Sequence, residues 1–315
     1  MGPTASGKSD VAVEIARKFN GEVISADSRQ VYKGLDIGTG KITKKEMKGV
    51  PHHLIDVVSP ILRLRSGQGQ FSVSEYVKLG DGAIKDILKR GKVPIICGGT
   101  GFYISALLGE SELAEVPPNP LLRKKLEKKS AGELYAMLQK LDPVRSVAID
   151  RYNPRRLVRA IEIAIGKGKM ERSKKGKIVG NEARSMKYEV CKIGIQVPDD
   201  ELKARINKRI EKWFKQGLVK EVENLHKKGL SWKRMDELGL EYKLASKYLK
   251  KEMSKEEMIA KMQTETWAYA KRQRTWFKRD KEIIWISPQK NVIKIIEASS
   301  SPPAPDWTGG RAGNG

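Results

Sequence analysis

Residues 2–9 have the pattern of a loop that binds phosphate, and they read Gly2-Pro3-Thr4-Ala5-Ser6-Gly7-Lys8-Ser9. Glycines at both ends let the backbone turn tightly enough for consecutive N–H groups to face one phosphate. The amine of Lys8 adds positive charge, and the Ser9 hydroxyl suits Mg²⁺. A helical pattern then spans residues 8–18, which places the phosphate at a helix N-terminus. We therefore assign all eight residues to diphosphate or nucleotide binding, with Ser9 as a metal ligand.

Two apolar runs that predict buried strands, 22–26 and 93–97, end in residues with reactive side chains. The first ends at Asp27, followed by Ser28, Arg29 and Gln30, and the second ends at Gly98-Gly99-Thr100. Strand ends and loops gather at one edge of a parallel sheet, so these residues are expected near the phosphate loop. Asp27 can accept a proton or hold Mg²⁺ through water, or it can be a turn aspartate. Thr100 can bind a phosphate or a reacting group, and the glycines can admit a ligand or simply form a turn.

Cationic side chains form two further candidate sites. Arg205 and Arg209 stand four residues apart on a predicted amphipathic helix, so they share one side, either as phosphate ligands or as solvated charges. The segment 270–281 holds six cations interleaved with Trp276 and Phe277. Such cations neutralise RNA phosphates, and the two rings either stack on unpaired bases or belong to the core.

The composition favours a polyanionic partner. The 315 residues include 62 Lys and Arg against 38 Asp and Glu, a net charge of +24 that attracts nucleic acid, although a lysine-rich solvated surface gives the same total. Two cysteines and three histidines exclude a disulfide framework and the usual zinc sites, and they indicate a reducing, cytoplasmic compartment. The longest apolar runs are shorter than the roughly twenty residues of a membrane span.

The order of predicted elements indicates an α/β fold: a P-loop NTPase-like parallel sheet flanked by helices. We predict a core domain of residues 1–116 and 188–297, a mainly helical insertion of residues 117–187 and a disordered tail of residues 298–315. Further predictions are a mobile loop at 62–70, a basic loop at 166–187, strands at 190–197 and 282–286, and helices at 74–90, 102–108, 120–129, 131–140, 153–165, 199–228 and from 254 onwards. No apolar run precedes Gly2, so we expect the strand that normally leads into such a loop to lie upstream of Met1.

Six segments resemble the tRNA dimethylallyltransferase (IPP transferase) family. They are GPTASGKS at 2–9, ISADSRQVYKGLDIGTGK at 24–41, PHHLIDVVSP at 51–60, PIICGGTGFYISALL at 94–108, RYNPRRLVRAIEI at 151–163 and KRQRTWFKR at 271–279. They occur in order along most of the chain, and their combination is far more specific than the phosphate loop alone.

The resemblance implies transfer of a dimethylallyl group from its diphosphate to N6 of the adenosine 3′ of the anticodon, position 37, in tRNAs reading codons that begin with U. It implies that residues 2–9 bind the donor diphosphate with Mg²⁺, that Asp27 is the general base, that Thr100 positions the substrates and that Arg209, less certainly Arg205, neutralises the leaving diphosphate. The insertion becomes a tRNA-binding subdomain of a monomer. The expected tRNA-binding residues are Asp27, Ser28, Arg29, Gln30, Thr100, Arg123, Arg155, Arg156, Leu157, Val158 and Arg159, to which the C-terminal cations add Lys271, Arg272 and Arg274.

Two other functions use the same loop. A small-molecule kinase would bind ATP there but leaves the basic excess unexplained. A nucleic-acid-dependent NTPase would need a strand ending in acidic residues or an arginine finger, and neither is evident.

Overall fold

The computed structural model describes residues 1–61, 71–111, 113, 116–173, 188–288 and 292–299. They form two compact units. The first unit contains Met1–Ile61, Phe71–Glu110 and the described residues from 188 onwards, and the second contains those between 111 and 173.

The described residues contain five strands, which form two parallel sheets. Strands β1 (Gly21–Ala26), β2 (His52–His53) and β3 (Val93–Gly98) pair in the order β2-β1-β3, and β4 (Ile193–Ile195) pairs with β5 (Ile284–Ile286). All six residues of β1 are buried, as expected for a strand covered on both faces. The predicted α/β fold with a parallel sheet is confirmed, although the last two strands are shorter than predicted.

The helices, in chain order, are α1 (Lys8–Lys18), α2 (Lys44–Met47), α3 (Val73–Lys89), α4 (Gly101–Leu107), α5 (Pro120–Leu126), α6 (Ala131–Leu141), α7 (Pro143–Ala148), α8 (Pro154–Ser173), α9 (Asp199–Gln216), α10 (Leu218–Lys227), α11 (Trp232–Leu238), α12 (Leu240–Leu249), α13 (Lys255–Phe277) and α14 (Val292–Ser299). None of the helices in the described ranges is long and apolar enough to cross a bilayer.

The helix predicted over 199–228 is two helices. Gly217 lies between α9 and α10 with φ 96°, a left-handed conformation that ends the first helix. The helix predicted from Ser254 is present as α13. It begins with the expected capping box, in which the Glu257 N–H donates to Ser254 Oγ at 3.1 Å and the Ser254 N–H donates to Glu257 Oε2 at 2.9 Å.

Three predicted irregular segments have different outcomes. The prediction of a basic loop at 166–187 is wrong for its first residues, because α8 continues to Ser173. Residues 174–187 lie outside the described residues. The tail predicted from 298 begins inside α14, which ends at Ser299, and its remainder also lies outside them. So does the loop at 62–70.

Packing of α1 against the sheet fixes the N-terminal loop. Ala12, Val13 and Ala16 of α1 form a buried cluster with Val23 of β1 and Val50. The backbone of Met1 pairs with β4: its amino group donates to Ile193 O at 2.6 Å, and its carbonyl accepts from the Ile195 N–H at 2.9 Å. The residue before the loop is therefore held to β4 by two backbone hydrogen bonds.

The second unit is helical and has its own small hydrophobic core. Leu126, Leu134, Leu138, Leu157 and Ile161 are buried together where α5, α6 and α8 meet. Helices α5 and α7 both begin with proline after a capping residue, Asn119 and Asp142, whose side chains accept hydrogen bonds from the first turn.

Candidate active site

The loop at 2–9 leads directly into α1 in the first unit. Gly7 is the N-cap of α1 with φ 88°, and its missing side chain leaves the first N–H groups of the helix uncapped by any side chain. Ala5 also has positive φ, 62°, and such left-handed residues occur where a loop forms a nest of backbone N–H groups. Free N–H groups at a helix N-terminus attract anions.

Parallel pairing of β1 with β3 brings the two predicted catalytic strand ends to this loop. Ala26 lies opposite Gly98, so the chain leaves both strands at the same edge of the sheet. There the Ser28 N–H donates to Thr100 Oγ1 at 3.1 Å. Asp27 Oδ1 accepts from the N–H groups of Arg29 at 2.8 Å and Gln30 at 3.4 Å, which fixes the carboxylate at the strand end.

A cavity of about 580 Å³ joins these groups. Lys8 and Ser9 of the loop line it together with Asp27, Thr100 and Arg209, so the structure brings all three predicted catalytic residues together with the predicted anion-binding residues. Of the remaining loop residues, Thr4, Ala5 and Gly7 also line it. Gly2, Pro3 and Ser6 do not line the cavity, although they belong to the same loop.

Lys8 and Arg209 of the cavity wall have no carboxylate within 4.0 Å among the residues that the structure describes. Burial lowers the pKa of the Lys8 ammonium, repulsion from Arg209 adds to this, and the amine donates to Pro3 O at 3.2 Å. Burial likewise lowers the pKa of Arg209, whose Nη1 donates to Thr4 Oγ1 at 3.1 Å. A bound diphosphate would supply the missing negative charge.

The two arginines of α9, of which the resemblance favours Arg209, have different surroundings in the structure. Arg205 forms an ion pair with Glu201, at 2.6 Å, and reaches only the outside of the loop, where Nη1 donates to Ser6 O at 3.4 Å. Arg209 has no carboxylate within 4.0 Å among the described residues, and it lines the cavity. Arg209 is thus the arginine placed to meet an anion.

Some of the predicted tRNA-binding residues of the first unit line the cavity, and others contact protein side chains outside it. Ser28, Arg29, Gln30 and Arg272 line the cavity. Arg274 forms an ion pair with Asp199, and the amine of Lys271 lies 5.7 Å from the ring centroid of Trp267. Arg274 therefore has a structural partner, whereas Lys271 is exposed.

In the second unit the predicted tRNA-binding residues have three different environments. Leu157 and Val158 are in the hydrophobic core, so their side chains are not available to RNA, which corrects that part of the prediction. Arg123 and Arg159 both donate to the buried carboxylate of Glu162, at 2.6 and 3.1 Å. Arg155 and Arg156 are exposed on α8. The alternation follows from helical geometry, which turns neighbouring residues to different faces.

Gln273 is a site residue that the sequence analysis missed. Its Oε1 accepts from the Thr4 N–H at 2.8 Å, and its Nε2 donates to Gly99 O at 2.8 Å. The side chain thus joins the phosphate loop to the turn after β3. The segment 271–279 contains it, but a single amide among cations and aromatic residues carries no separate signal in the sequence.

The glycines at the end of β3 and in the turn after it make room for neighbouring protein atoms. A Cβ at Gly98 would clash with the Ala26 backbone, one at Gly99 with the Gln273 amide, and one at Gly101 with the Trp276 indole. Close packing of β1 and α13 against the turn therefore accounts for the glycines at 98 and 99. Gly98 and Thr100 both line the cavity.

Glu241 and Thr266 also line the cavity, and the sequence analysis did not predict either of them. Burial raises the pKa of Glu241, at the start of α12, to about 7, although Arg29 and Arg209 act in the opposite direction. Thr266, on α13, is 4% exposed, and its hydroxyl has no hydrogen-bond partner among the described residues. Neither residue lies in a motif that distinguishes it in the sequence.

Three carboxylates elsewhere in the first unit lie close enough together to hold a metal: Glu110, Asp280 and Glu282. The amine of Lys192 donates to all three, at 2.6, 2.9 and 2.6 Å. Lys192 already provides the positive charge of this cluster, which is separate from the cavity lining given above.

The sequence is similar to those of several known proteins. Residues 30–280 match the model of a family described as IPP transferase. A tRNA dimethylallyltransferase of Anoxybacillus flavithermus is 40% identical over 278 residues, covering 87% of this chain and 85% of the relative. One from a Thermoanaerobacter species is 42% identical over 280 residues, covering 87% and 86%.

Solved structures agree with these matches. The full-length tRNA isopentenylpyrophosphate transferase of Bacillus halodurans has a TM-score of 0.66 at 34% identity and covers 94% of this chain and 92% of its own. A eukaryotic dimethylallyltransferase, described as acting on tRNA, has a TM-score of 0.73 at 25% identity and covers 95% and 77%.

Proposed function

This chain belongs to the IPP transferase family, as its motifs predict, and we propose that it transfers a dimethylallyl group from dimethylallyl diphosphate to tRNA. The acceptor is N6 of adenosine 37, just 3′ of the anticodon, in tRNAs reading codons that begin with U, and the second product is diphosphate. One observation carries the proposal: the anion-binding loop and a carboxylate at the end of β1 line the same cavity.

The donor diphosphate binds to the loop at 2–9. Lys8 and Arg209 neutralise it, because both are cations that lack a carboxylate partner among the described residues, and the N–H groups at the start of α1 hold its oxygens. The Ser9 hydroxyl and the Asp27 carboxylate both line the cavity, and oxygen ligands of this kind fit Mg²⁺. Bound there with Ser9 as ligand, Mg²⁺ would add positive charge beside the departing diphosphate.

The reaction needs a base and an anion site on opposite sides of the transferred carbon. The bond between the allylic carbon and the diphosphate oxygen breaks, a bond from N6 to that carbon forms, and Asp27 takes the N6 proton. Positive charge spreads over the allyl carbons as the diphosphate leaves, so Lys8 and Arg209 act mainly by stabilising the departing anion. Thr100, whose hydroxyl contacts the backbone of Ser28, helps to align donor and adenine.

The RNA contributes an extruded base. An adenine inside a stacked loop cannot reach a cavity, so the target nucleotide leaves its stack, as in other base-modifying enzymes. Ser28, Arg29, Gln30 and Arg272 contact the RNA at the cavity, and Lys271 provides charge nearby. Arg155 and Arg156 contact it from the second unit. We propose the corresponding organisation: a core of residues 1–116 and 188–297 with a tRNA-binding insertion of residues 117–187, acting as a monomer in the cytoplasm.

The test is incubation with labelled dimethylallyl diphosphate and an unmodified tRNA, followed by nucleoside mass analysis. We expect a labelled isopentenyl group on one adenosine of the anticodon loop, dependent on Mg²⁺. The same protein with ATP and small acceptors tests the kinase and NTPase alternatives. Label appearing only in water, or phosphate release from ATP without prenyl transfer, would refute the proposal.

A further inference from the structure

One carboxylate on α10 accepts hydrogen bonds from three consecutive backbone N–H groups. Glu221 Oε2 accepts from the Asp36 N–H at 3.1 Å and from the Ile37 N–H at 2.8 Å, and Oε1 accepts from the Gly38 N–H at 3.3 Å. The hydroxyl of Tyr242, on α12, donates to Oε1 at 2.8 Å. Hydrogen bonds to a charged acceptor are roughly twice as strong as those between neutral groups. Glu221 therefore binds this stretch of backbone firmly to α10.

The surroundings of Glu221 keep these hydrogen bonds in place. Tyr242 is 1% exposed, and burial, followed by the charge of Glu221, raises the pKa of its phenol, so the hydroxyl remains a donor. By contrast, Glu223 lies two residues further along the same helix and pairs with Lys227 at 2.6 Å. Two carboxylates of α10 thus have different partners: one binds backbone N–H groups and the other a lysine of its own helix.

The backbone that Glu221 binds belongs to a turn. The Gly40 N–H donates to Ile37 O at 2.9 Å, and the Lys41 N–H donates to Asp36 O at 3.0 Å. As at the start of a helix, these bonds use the N–H groups of the later residues and leave those of the first residues without a partner inside the turn. The carboxylate of Glu221 supplies the acceptor for these first N–H groups.

The same turn is part of the wall of the candidate active site. We call residues 36–40 the wall loop, because its last three residues line the cavity. A Cβ at Gly40 would lie 3.4 Å from the Trp213 indole and 3.7 Å from Arg209 Nη1, so the backbone there runs against α9. Arg209 is the arginine placed to meet an anion. The wall loop therefore borders the end of the cavity where the diphosphate is proposed to bind.

Other polar contacts of the wall loop hold it less directly. Gln30 Nε2 donates to Gly40 O at 3.4 Å and to Thr39 O at 3.5 Å, distances near the upper limit for a hydrogen bond. The amine of Lys41 pairs with Asp36 at 2.6 Å, which joins the two ends of the turn to each other. Neither contact replaces the attachment to α10 that Glu221 provides.

We propose that Glu221 is a positioning residue for the prenyl donor: it holds the wall loop in the conformation that receives dimethylallyl diphosphate beside Arg209. The proposal rests on the proposed function. Without the carboxylate, three backbone N–H groups lose their acceptor, and the wall loop populates other conformations. The donor then binds only the fraction of molecules in which the loop is in place, which lowers its apparent affinity. Because Glu221 does not line the cavity, it acts on donor binding through the loop and takes no part in the transfer step.

The experiment compares Glu221→Gln with its matched control, Glu223→Gln. Both substitutions remove one negative charge from α10, but only the first removes a carboxylate from the wall loop. KM and kcat are measured for dimethylallyl diphosphate at saturating tRNA and for tRNA at saturating donor, with Mg²⁺. Calorimetry gives the affinity for dimethylallyl diphosphate without tRNA. Hydrogen exchange, followed by mass spectrometry on a peptide that covers the wall loop, reports how well its N–H groups are protected.

For Glu221→Gln we expect KM and the dissociation constant of dimethylallyl diphosphate to rise by about 10-fold, as when roughly one molecule in ten has the wall loop in place. At saturating donor kcat should stay within about 2-fold of the wild type, because bound donor orders the loop. The KM for tRNA should be unchanged. Exchange in the wall loop should become faster in the free variant and slow again with donor. Glu223→Gln should resemble the wild type in every measurement.

Three results would overturn the proposal. A lower kcat with an unchanged donor KM is the result of a smaller folded fraction, and it would make Glu221 structural. A rise confined to the KM for tRNA would assign the wall loop to the acceptor. If thermal melting shows that Glu221→Gln does not fold, Glu221→Asp replaces it, since this keeps the charge on a side chain shorter by one methylene. An unchanged donor KM in that variant would also overturn the proposal.

Calorimetry separates this proposal from the proposed function. Donor binding that weakens in Glu221→Gln, without prenyl transfer by the wild type, would refute the proposed function alone. Prenyl transfer by the wild type, with equal donor affinity in the wild type and in Glu221→Gln, would refute the role of Glu221 alone. A wild-type chain that does not bind dimethylallyl diphosphate would refute both.

Discussion

The side-chain amide of Gln273 accepts a hydrogen bond from the Thr4 N–H at 2.8 Å, so α13 is bound directly to the phosphate loop. The same amide donates to Gly99 O at 2.8 Å. One side chain thereby connects the residues proposed to bind the diphosphate with the turn that carries Thr100. Gln273 itself is 6% exposed, and its hydrogen bond to Gly99 is buried.

Replacing Gln273 with leucine should disturb donor binding more than RNA binding. It leaves a backbone N–H and a carbonyl without partners, at a cost of about 1–3 kcal/mol for each buried group. We expect a lower melting temperature and a KM for dimethylallyl diphosphate raised by 10-fold or more. Gln263→Leu, at a partly exposed position of the same helix, is the control. A variant with normal donor kinetics would show that the loop keeps its shape without this amide.

Replacing Asp27 with asparagine should abolish chemistry and preserve binding. The amide oxygen still accepts from the Arg29 and Gln30 N–H groups, so the turn is kept, but the amide does not take up a proton. We expect kcat to fall by about 10²- to 10⁴-fold, as for loss of a general base. Asp27→Ala should lose activity equally and stability in addition. If tRNA affinity falls as steeply as kcat, the carboxylate is structural.

Arg209 and Arg205 form a matched pair for testing the anion site. Arg209→Gln removes a guanidinium that faces the cavity, and the expected loss in kcat is about 10²- to 10³-fold, as for one oxyanion donor. Arg205→Gln removes an ion pair with Glu201 and should change kcat less than 10-fold. Diphosphate inhibition, measured in both variants, should weaken only in Arg209→Gln. The reverse ranking would contradict the assignment of roles.

Glu241 predicts a pH dependence of stability. Its pKa is about 7 in the folded chain and 4.5 ordinarily, so the folded state binds more protons than the unfolded state between these values. Stability therefore falls as pH rises through this window, by at most about 1.4 kcal/mol per pH unit, and levels off above pH 7. Denaturant unfolding at pH 5, 6, 7 and 8 should show this fall in the wild type relative to Glu241→Gln. Parallel curves for the two proteins would exclude the shift.

Replacing arginines of the second unit should affect either tRNA binding or stability, depending on whether the arginine is exposed or paired with Glu162. Arg155→Gln with Arg156→Gln removes exposed charges, so tRNA affinity and its salt slope should fall while the melting temperature is unchanged. Arg123→Gln leaves the buried Glu162 with one arginine fewer, so we expect a loss of stability of roughly 3–5 kcal/mol. Filter binding over a range of salt concentrations and thermal melting measure the two effects. An unchanged salt slope in the double variant would remove α8 from the RNA interface.

Sequence alone determined those parts of this protein that depend on neighbouring residues. The glycines and Lys8 of the loop, the apolar runs of β1 and β3, and the capping box at Ser254 and Glu257 each act within a few residues, so their patterns could be recognised directly. The combination of motifs also identified the family, and the parallel sheet followed from the alternation of strands and helices.

Only the tertiary structure decided which side chains of a helix reach the site. It placed Arg209 in the cavity and Arg205 beside it, buried Leu157 and Val158, exposed Trp276 while burying Phe277, and brought Gln273 to Thr4 across 269 positions of the chain. The reason is physical: helical periodicity states which residues share a face, but packing against distant elements determines what that face meets. Contacts between distant segments leave no local pattern, and Gln273, Glu241 and Thr266 were therefore found only in the folded chain.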